Sequence, residues 1–384
     1  VKITIAHGSN DTYGASRVLL QEIDSLLSLG HSVQLLVPNG GPLCGEIAKR
    51  GASAQITIVP QLLVLRRSNI KDALRAPRLP DEMASADIVV VWTLGLAGYI
   101  PLLRLARKKF YVSVHELLED RRARVVFRIL LRGAFPITAC SFAAAAWLRS
   151  LGVRDDRIVV TYPVLSASEA SSAATGRKVQ NGSELFTVAV YGRVNGSKGH
   201  REVAQAFQHS GMTDPTWRLV LAGAPFPGQE AALDEVMPIV DSDSRITYAG
   251  EVASLRELHP KVDLVAVFPT KPESFGLVPV EAWDCGIRSI GYAEGGAAEV
   301  LQLVGGIVIK RTTSDVETIA EALAATRADW DALEKLPKSE GVRSVLSFQN
   351  RADKLSAVLT SLSNPKVSSR GCADPLLSTD KGEG

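Results

Sequence analysis

The chain has 384 residues, 46% of them hydrophobic and 22% charged, which describes a globular protein too long for one small domain. Four cysteines, Cys44, Cys140, Cys285 and Cys372, lie without C-x-x-C spacing, which argues against a zinc site or disulfide framework and for a reducing compartment. The net charge of +2 is unevenly shared: residues 1–165 hold 21 Lys+Arg and 13 Asp+Glu, hence +8, and the remainder 22 and 28, hence −6, so the first half is expected to meet something anionic.

Residues 1–6 open directly as a strand, with no charged and apolar leader ahead of them, and no apolar run approaches the ~20 residues of a membrane span. Neither a signal peptide nor a transmembrane segment is therefore expected. His7 to Ser16 is a polar loop with two glycines. Arg17 to Leu29 carries Val18, Leu19, Leu20, Ile23, Leu26, Leu27 and Leu29 on a helical stripe. Gly30-His31 ends it, and Val33 to Val37 is a strand. The loop lacks G-x-G-x-x-G, so a dinucleotide fingerprint is absent, and Gly14 alone is equally a packing glycine.

A helix at Leu43 to Arg50 and a strand at Gln55 to Val59 follow. Residues 60–85 form a basic loop-and-helix region with Arg66, Arg67, Lys71, Arg75 and Arg78. Asp87 to Trp92 reads as a buried strand, Leu96 to Lys109 as a helix, and Phe110 to Val114 as a strand ending at His115-Glu116. Spacing leaves His115 open between a satisfied polar residue and a site residue. Arg121, Arg124, Arg128 and Arg132 recur at helical spacing beside Val125, Phe127, Ile129, Leu130 and Leu131. That is either a solvated basic face or an interfacial helix on anionic lipid. With Phe127 alone available for stacking, nucleic acid is the weaker partner. Strands at Ala134 to Ala139 and Arg157 to Pro163 flank a helix at Ser141 to Leu151. Residues 166–183 turn to Ser, Ala, Gly and charge, a linker composition.

The second half restarts with a strand at Phe186 to Val190. A glycine loop with Arg193 and Lys198 then feeds a helix from Glu202 to Phe207, where donors and positive charge converge as a grip for a diphosphate. Strands at Trp217 to Ala222 and Arg245 to Tyr248 follow, the latter leading into Gly250-Glu251-Val252. Asp241-Ser-Asp243 sits in a polar turn and is not read as a metal site. Leu264 to Phe268 is a short apolar run followed by a breaker-rich turn, then a helix at Val280 to Asp284. Glu273 lies in the turn and Glu281 at the helix start. If the strand is parallel and central, its carboxyl end opens onto a ligand crevice. The backbone N–H groups of Phe275, Gly276 and Leu277 would then favour an anion there. Acids so spaced are, by themselves, usually just solvated. A strand at Ile307 to Ile309, a helix at Val316 to Arg327 and an amphipathic helix at Phe348 to Leu362 complete the pattern. The polar residues from Ser363 onward are expected to be disordered.

Glu273-Ser274-Phe275-Gly276-Leu277, then Glu281-Ala282, Cys285-Gly286, Gly295-Gly296 and Glu299, resembles the E-x7-E signature of retaining nucleotide-sugar glycosyltransferases of the family 4 type, the group 1 glycosyl transferases. Arg288 departs from the pattern, standing where that family usually has proline. Gly192 to Gly199 is similar to the family's G-R-x4-K-G motif. Asp11 to Ser16 with the following helix, and His115-Glu116, resemble the polysaccharide-assembly members. The resemblance covers nearly residues 1–362 and implies the GT-B fold: α/β, with two doubly wound Rossmann-like domains facing a central cleft. It places an acceptor-side domain at 1–165 with a crossover helix at 345–362, a linker at 166–183, a donor domain at 184–344 and a tail at 363–384. It also implies that Glu273 and His115 are catalytic, orienting the donor sugar and reaching its reacting face. Glu281 would bind the ribose. Arg193, Lys198 and the N–H groups of Phe275, Gly276 and Leu277 would hold the diphosphate, Gly14 would approach the donor phosphate, and Gly250 and Val252 would lie against the base.

The expected function is retaining sugar transfer from a nucleotide-sugar donor to a glycan or lipid-linked glycan acceptor in cell-envelope or exopolysaccharide assembly. No metal or cofactor and no nucleic acid are expected. The expected location is cytoplasmic and peripheral on the inner face of the cell membrane, with Arg121, Arg124, Arg128 and Arg132 facing anionic lipid. A GT-B-shaped sugar-nucleotide epimerase and a non-catalytic carbohydrate-binding partner are the alternatives.

Overall fold

The computed structural model describes residues 1–65, 78–165, 185–209, 212–225, 228–259, 261–333, 335–337 and 339–363. The linker expected at 166–183, the tail from 364 and most of the basic stretch, with Arg66, Arg67, Lys71 and Arg75, lie outside the described residues. The chain divides into two compact units. One draws on Val1–Leu165 and the chain from Arg343, the other on Ser166–Val342.

The first unit is built on seven parallel strands: β1 (Lys2–Ala6), β2 (Ser32–Val37), β3 (Ala54–Ile58), β4 (Ile88–Trp92), β5 (Lys109–Val114), β6 (Ile137–Ala139) and β7 (Ile158–Val160). All five residues of β4 are buried. Such unbroken apolar runs identify strands covered by helices on both faces. The sheet order is β3-β2-β1-β4-β5-β6-β7. The order reverses between β1 and β4, and the carboxyl ends beside that switch point are where such a sheet binds ligands. The Ala15–Ser28 helix buries Val18, Leu19, Ile23 and Leu26 against the sheet. The Phe348–Ser363 helix packs beside it, adding Val358 and Leu359 to the same core. Within this core, Arg351 pairs with Glu22 and donates to the carbonyls of Thr161 (3.2 Å) and Tyr162 (2.8 Å), while the Tyr111 hydroxyl donates to Glu22 at 2.6 Å. Removing either charge would leave the other buried and uncompensated, a loss of roughly 3–5 kcal/mol.

The second unit has six parallel strands: β8 (Phe186–Tyr191), β9 (Trp217–Ala222), β10 (Ile246–Gly250), β11 (Leu264–Val267), β12 (Arg288–Tyr292) and β13 (Ile307–Ile309). Their order, β10-β9-β8-β11-β12-β13, repeats the same winding with the switch point between β8 and β11.

Several elements differ from their sequence reading: the strand expected at Arg157 to Pro163 shortens to β7, and Asp241 and Ser242, expected in a polar turn, end the Met237–Ser242 helix. The helix expected over Leu96 to Lys109 is a 3-10 turn at Leu94–Tyr99 followed by an α-helix at Ile100–Leu105. Gly95 and Gly98 weaken the first part, and Pro101 is suited only to a fresh first turn. The strand expected from Ala134 shortens to β6, because Pro136 has no N–H for the ladder. The helix expected at Val280 begins at Leu277, since Pro279 fits its first turn. Glu281 is therefore in mid-helix, not at its start.

Candidate functional site

In the first unit, His7 and His115 follow the carboxyl ends of β1 and β5. His7 is 3% exposed, and its Nε2 is 2.9 Å from Ser16 Oγ on the first turn of the Ala15–Ser28 helix. Burial lowers its pKa to about 4, against the pull of the Asp11 charge. Burial by itself would raise the Asp11 carboxyl, but hydrogen bonds from Ser9, the Tyr13 N–H and Ser16 outweigh it and hold the group below the ordinary range. Gly14 is the N-cap of this helix.

The His115 ring lies 4.3 Å from that of Trp92, whose Nε1 donates to the Ala15 carbonyl at 3.2 Å. Its Nε2 meets Ser113 Oγ at 2.9 Å, and Thr138 donates to the same hydroxyl at 2.9 Å. The protein packed around the ring lowers its pKa to about 3, helped by the Arg351 charge and, in acid, by that of His7. Both histidines are thus neutral at physiological pH, offering hydrogen bonds rather than charge. Glu116 accepts from the N–H groups of Leu94 and His115, each at 3.0 Å. Burial pushes its carboxyl up to about 7 despite these bonds and one from the Thr93 hydroxyl. Thr93 has φ 71°, a strained conformation for a β-branched residue. Glu116 therefore fastens the ends of β4 and β5 together at a strained point. His7, Trp92 and Thr93 are no part of the sequence motifs. Their signal was the position of each at the end of a buried strand.

In the second unit, the loop after β8 carries Arg193 and Lys198, and the loop after β11 carries Glu273. The two are stitched together. The Thr270 N–H donates to the Ser197 carbonyl at 3.1 Å, and Lys198 Nζ meets Glu273 Oε1 at 2.6 Å. Gly199, at φ 82°, is what allows this approach, because a Cβ there would sit 2.1 Å from the Phe268 carbonyl oxygen. It also caps the His200–Phe207 helix. His200 is itself buried, and burial lowers its pKa to about 4.

Gly276, at φ 91°, caps the Leu277–Asp284 helix without a side-chain partner. A helix N-terminus of this kind favours an anion. Glu281 lies four residues beyond Leu277, on the same side of the helix and about 6 Å along its axis. Gly250 ends β10, and its carbonyl accepts from the Gly223 N–H at 2.7 Å. Val252 follows, two strands from the switch point. The second unit thus gathers Arg193, Lys198, Glu273, Phe275, Gly276, Leu277 and Glu281 around the ends of β8 and β11. His115 and Gly14 belong to the first unit. Asp243 is paired with Arg245 at 2.6 Å, and among the described residues no group of acidic, His or Cys side chains is placed to hold a metal.

Of the arginine stripe, Arg121, Arg128 and Arg132 are exposed and Arg124 is half-buried. Arg132 lies beyond the Arg121–Leu130 helix. Arg124 donates to Ser150 Oγ at 3.0 Å and Arg128 to the Leu151 carbonyl at 3.4 Å. Both meet the carboxyl end of the Phe142–Ser150 helix, where a cation is favoured. The outward residues include Val125, 59% exposed, and Ile129, 61% exposed.

The family model described as Glycosyl transferases group 1 matches residues 174–339, and that described as Glycosyltransferase Family 4 matches residues 12–168. The lipopolysaccharide core biosynthesis mannosyltransferase LpsB of Rhizobium meliloti is 23% identical over 362 residues, covering 86% of this chain and 98% of LpsB. Among solved structures, Anabaena HepE in complex with UDP and glucose superposes with a TM-score of 0.71 at 17% identity, covering 94% of this chain and 99% of HepE. WaaG, a glycosyltransferase involved in lipopolysaccharide biosynthesis, gives a TM-score of 0.60 at 15% identity, covering 93% of this chain and 98% of WaaG. At such identities the structural likeness speaks for the fold, and the two family models, which between them reach from residue 12 to residue 339, speak for the family. The chain belongs to the family 4-type glycosyltransferases of the GT-B fold.

Proposed function

We propose that this chain moves a hexose from a nucleoside-diphosphate sugar, with retained configuration, onto a glycan or lipid-linked glycan in lipopolysaccharide or related polysaccharide assembly. The observation that carries the donor assignment is the meeting of Lys198 and Glu273 beside the helix start at Gly276, at one switch point. A diphosphate gains charge as its bond to the sugar breaks. Arg193, Lys198 and the helix N–H groups would stabilise that charge without a metal. Glu273 would accept hydrogen bonds from sugar hydroxyls, and Glu281 from the ribose. His115, being neutral, would donate or accept a hydrogen bond at a hydroxyl group. LpsB, named a mannosyltransferase of lipopolysaccharide core biosynthesis, and HepE, solved with UDP and glucose, support the substrate class.

A thermal-shift panel of nucleotide sugars tests this reading. The correct donor at a hundredfold excess over Kd should stabilise the protein by about 2.7 kcal/mol and be slowly hydrolysed. Binding without any hydrolysis would favour a pure binding partner, and no response to any nucleotide sugar would overturn the donor assignment.

The same proposal places the enzyme in the cytoplasm, peripheral on an anionic membrane. No helix among the described residues is long and apolar enough to cross one. The Arg121–Leu130 helix sets Arg122, Val125, Val126 and Ile129 at one-face spacing, with Val126 39% exposed between its two more exposed neighbours. In this arrangement the apolar residues enter the interface and the flanking arginines meet lipid headgroups. Replacing Val125, Val126 and Ile129 by Ser should abolish co-sedimentation with anionic vesicles. Equal pelleting of variant and wild type would remove the helix from membrane contact.

A further inference from the structure

Arg311 follows β13 and belongs to none of the motifs above. Its side chain is 20% exposed, and four groups converge on it. Nη1 donates to both carboxylate oxygens of Asp315, at 2.9 and 2.7 Å. Nε donates to Glu294 Oε2 at 3.1 Å, and Nη2 to the Pro269 carbonyl. The guanidinium lies over the Tyr292 ring, 3.9 Å from its centroid, and the Tyr292 hydroxyl donates to Asp315 at 2.8 Å. One planar group thus joins the carboxyl ends of β11, β12 and β13.

Two of those contacts lead to Glu273. Pro269 opens the loop that carries Glu273 as its fifth residue. Glu294 is the N-cap of the Gly295–Leu303 helix, and the Gly296 N–H of that helix donates to the Glu273 carbonyl at 2.7 Å. The backbone of Glu273 is therefore held from both sides by segments that end on Arg311. We infer that Arg311 is a positioning residue, one that sets where the Glu273 carboxylate stands against the transferred sugar. The inference rests on the donor-site reading of Glu273. A lysine could keep the pairing with Asp315 but not the planar fork that also reaches Pro269 and Glu294. A misplacement of about 1 Å at a reacting group is enough to cost on the order of a hundredfold in rate.

The test is a double-mutant cycle. R311K, R311M and E273Q, and R311K combined with E273Q, are compared for hydrolysis of UDP-glucose and GDP-mannose and for affinity towards UDP and GDP by calorimetry. R311K should lower kcat about tenfold or more, with diphosphate affinity within about twofold of wild type. In the E273Q background it should change kcat less than about twofold, because the residue it positions has lost its charge. If R311M does not fold, R311K carries the comparison, since its charge still pairs Asp315. An unchanged kcat in R311K, or the same fold loss with and without Glu273, overturns the positioning role. A wild type that neither binds nor hydrolyses any of these probes overturns the donor reading itself, and the inference with it.

Discussion

The two switch points of this chain follow one winding rule and carry opposite chemistry. At the first, His7 and His115 are packed until their charged forms are suppressed, to about 4 and about 3. At the second, Lys198 and Glu273 form an ion pair that keeps contact with solvent, with side chains 32% and 18% exposed. Dense packing around imidazoles yields a neutral, hydrogen-bonding surface suited to hydroxyl groups. Open loops with a lysine and a helix N-terminus yield a surface suited to a polyanion. The sheet supplies the crevice in each unit, and the residues that close the strands decide what it holds.

The sharpest way to break this contrast is Lys198→Met. If the second switch point stabilises charge developing on a leaving diphosphate, kcat should fall about 10²–10³-fold, a larger effect than on binding of the free diphosphate. A variant that only raised KM, with kcat intact, would make Lys198 a simple anchor.

The first switch point is tested by acid. The folded pKa values of His7 and His115 are depressed below the unfolded value of about 6.5. The unfolded chain therefore binds more protons as pH falls through that window, and stability present above pH 6.5 is lost towards pH 4. For His7 this is worth roughly 3 kcal/mol. Glu116 works the other way. Its folded pKa, raised from 4.5 to about 7, makes the folded state the better proton binder, so its contribution is lost as pH rises through that range. Denaturant unfolding against pH should show the acid limb flattened in His7→Gln and the limb between 4.5 and 7 flattened in Glu116→Gln. Identical profiles for wild type and both variants would mean these groups are solvated.

The smallest effect sharpens the comparison most. Lys198 has Glu273 as a competing counter-ion at 2.6 Å. Glu273→Gln should therefore bind the free nucleoside diphosphate a few-fold more tightly, about what a partly exposed ion pair of 0.2–1 kcal/mol allows, while donor-sugar turnover falls. Calorimetry showing weaker diphosphate binding would mean that Glu273 supports Lys198 rather than competing with it.

The fold class was legible because parallel strands leave long apolar runs. Ile88 to Trp92 can be little else, and Leu264 to Val267 is bounded by breakers. The acids of the second unit were legible because their spacing is local, within one loop and one helix. Helix boundaries were less so. Pro279 reads as a breaker unless it is known to stand in a first turn, and that moved Glu281 from the helix start to its middle. Periodicity likewise told which of the Arg121–Leu130 residues share a side, but not which side finds a neighbour.

What the sequence determined by itself was therefore local: the alternation of strand and helix, the glycine loops, and the spacing of Glu273 from Glu281. What tertiary structure decided was every pairing across distance. Lys198 meets Glu273 across 75 positions, Arg351 reaches Glu22 across 329, and Arg311 draws three strand ends together. Such contacts depend on strand order, and strand order is set by the burial of whole helix faces rather than by any residue that takes part in them.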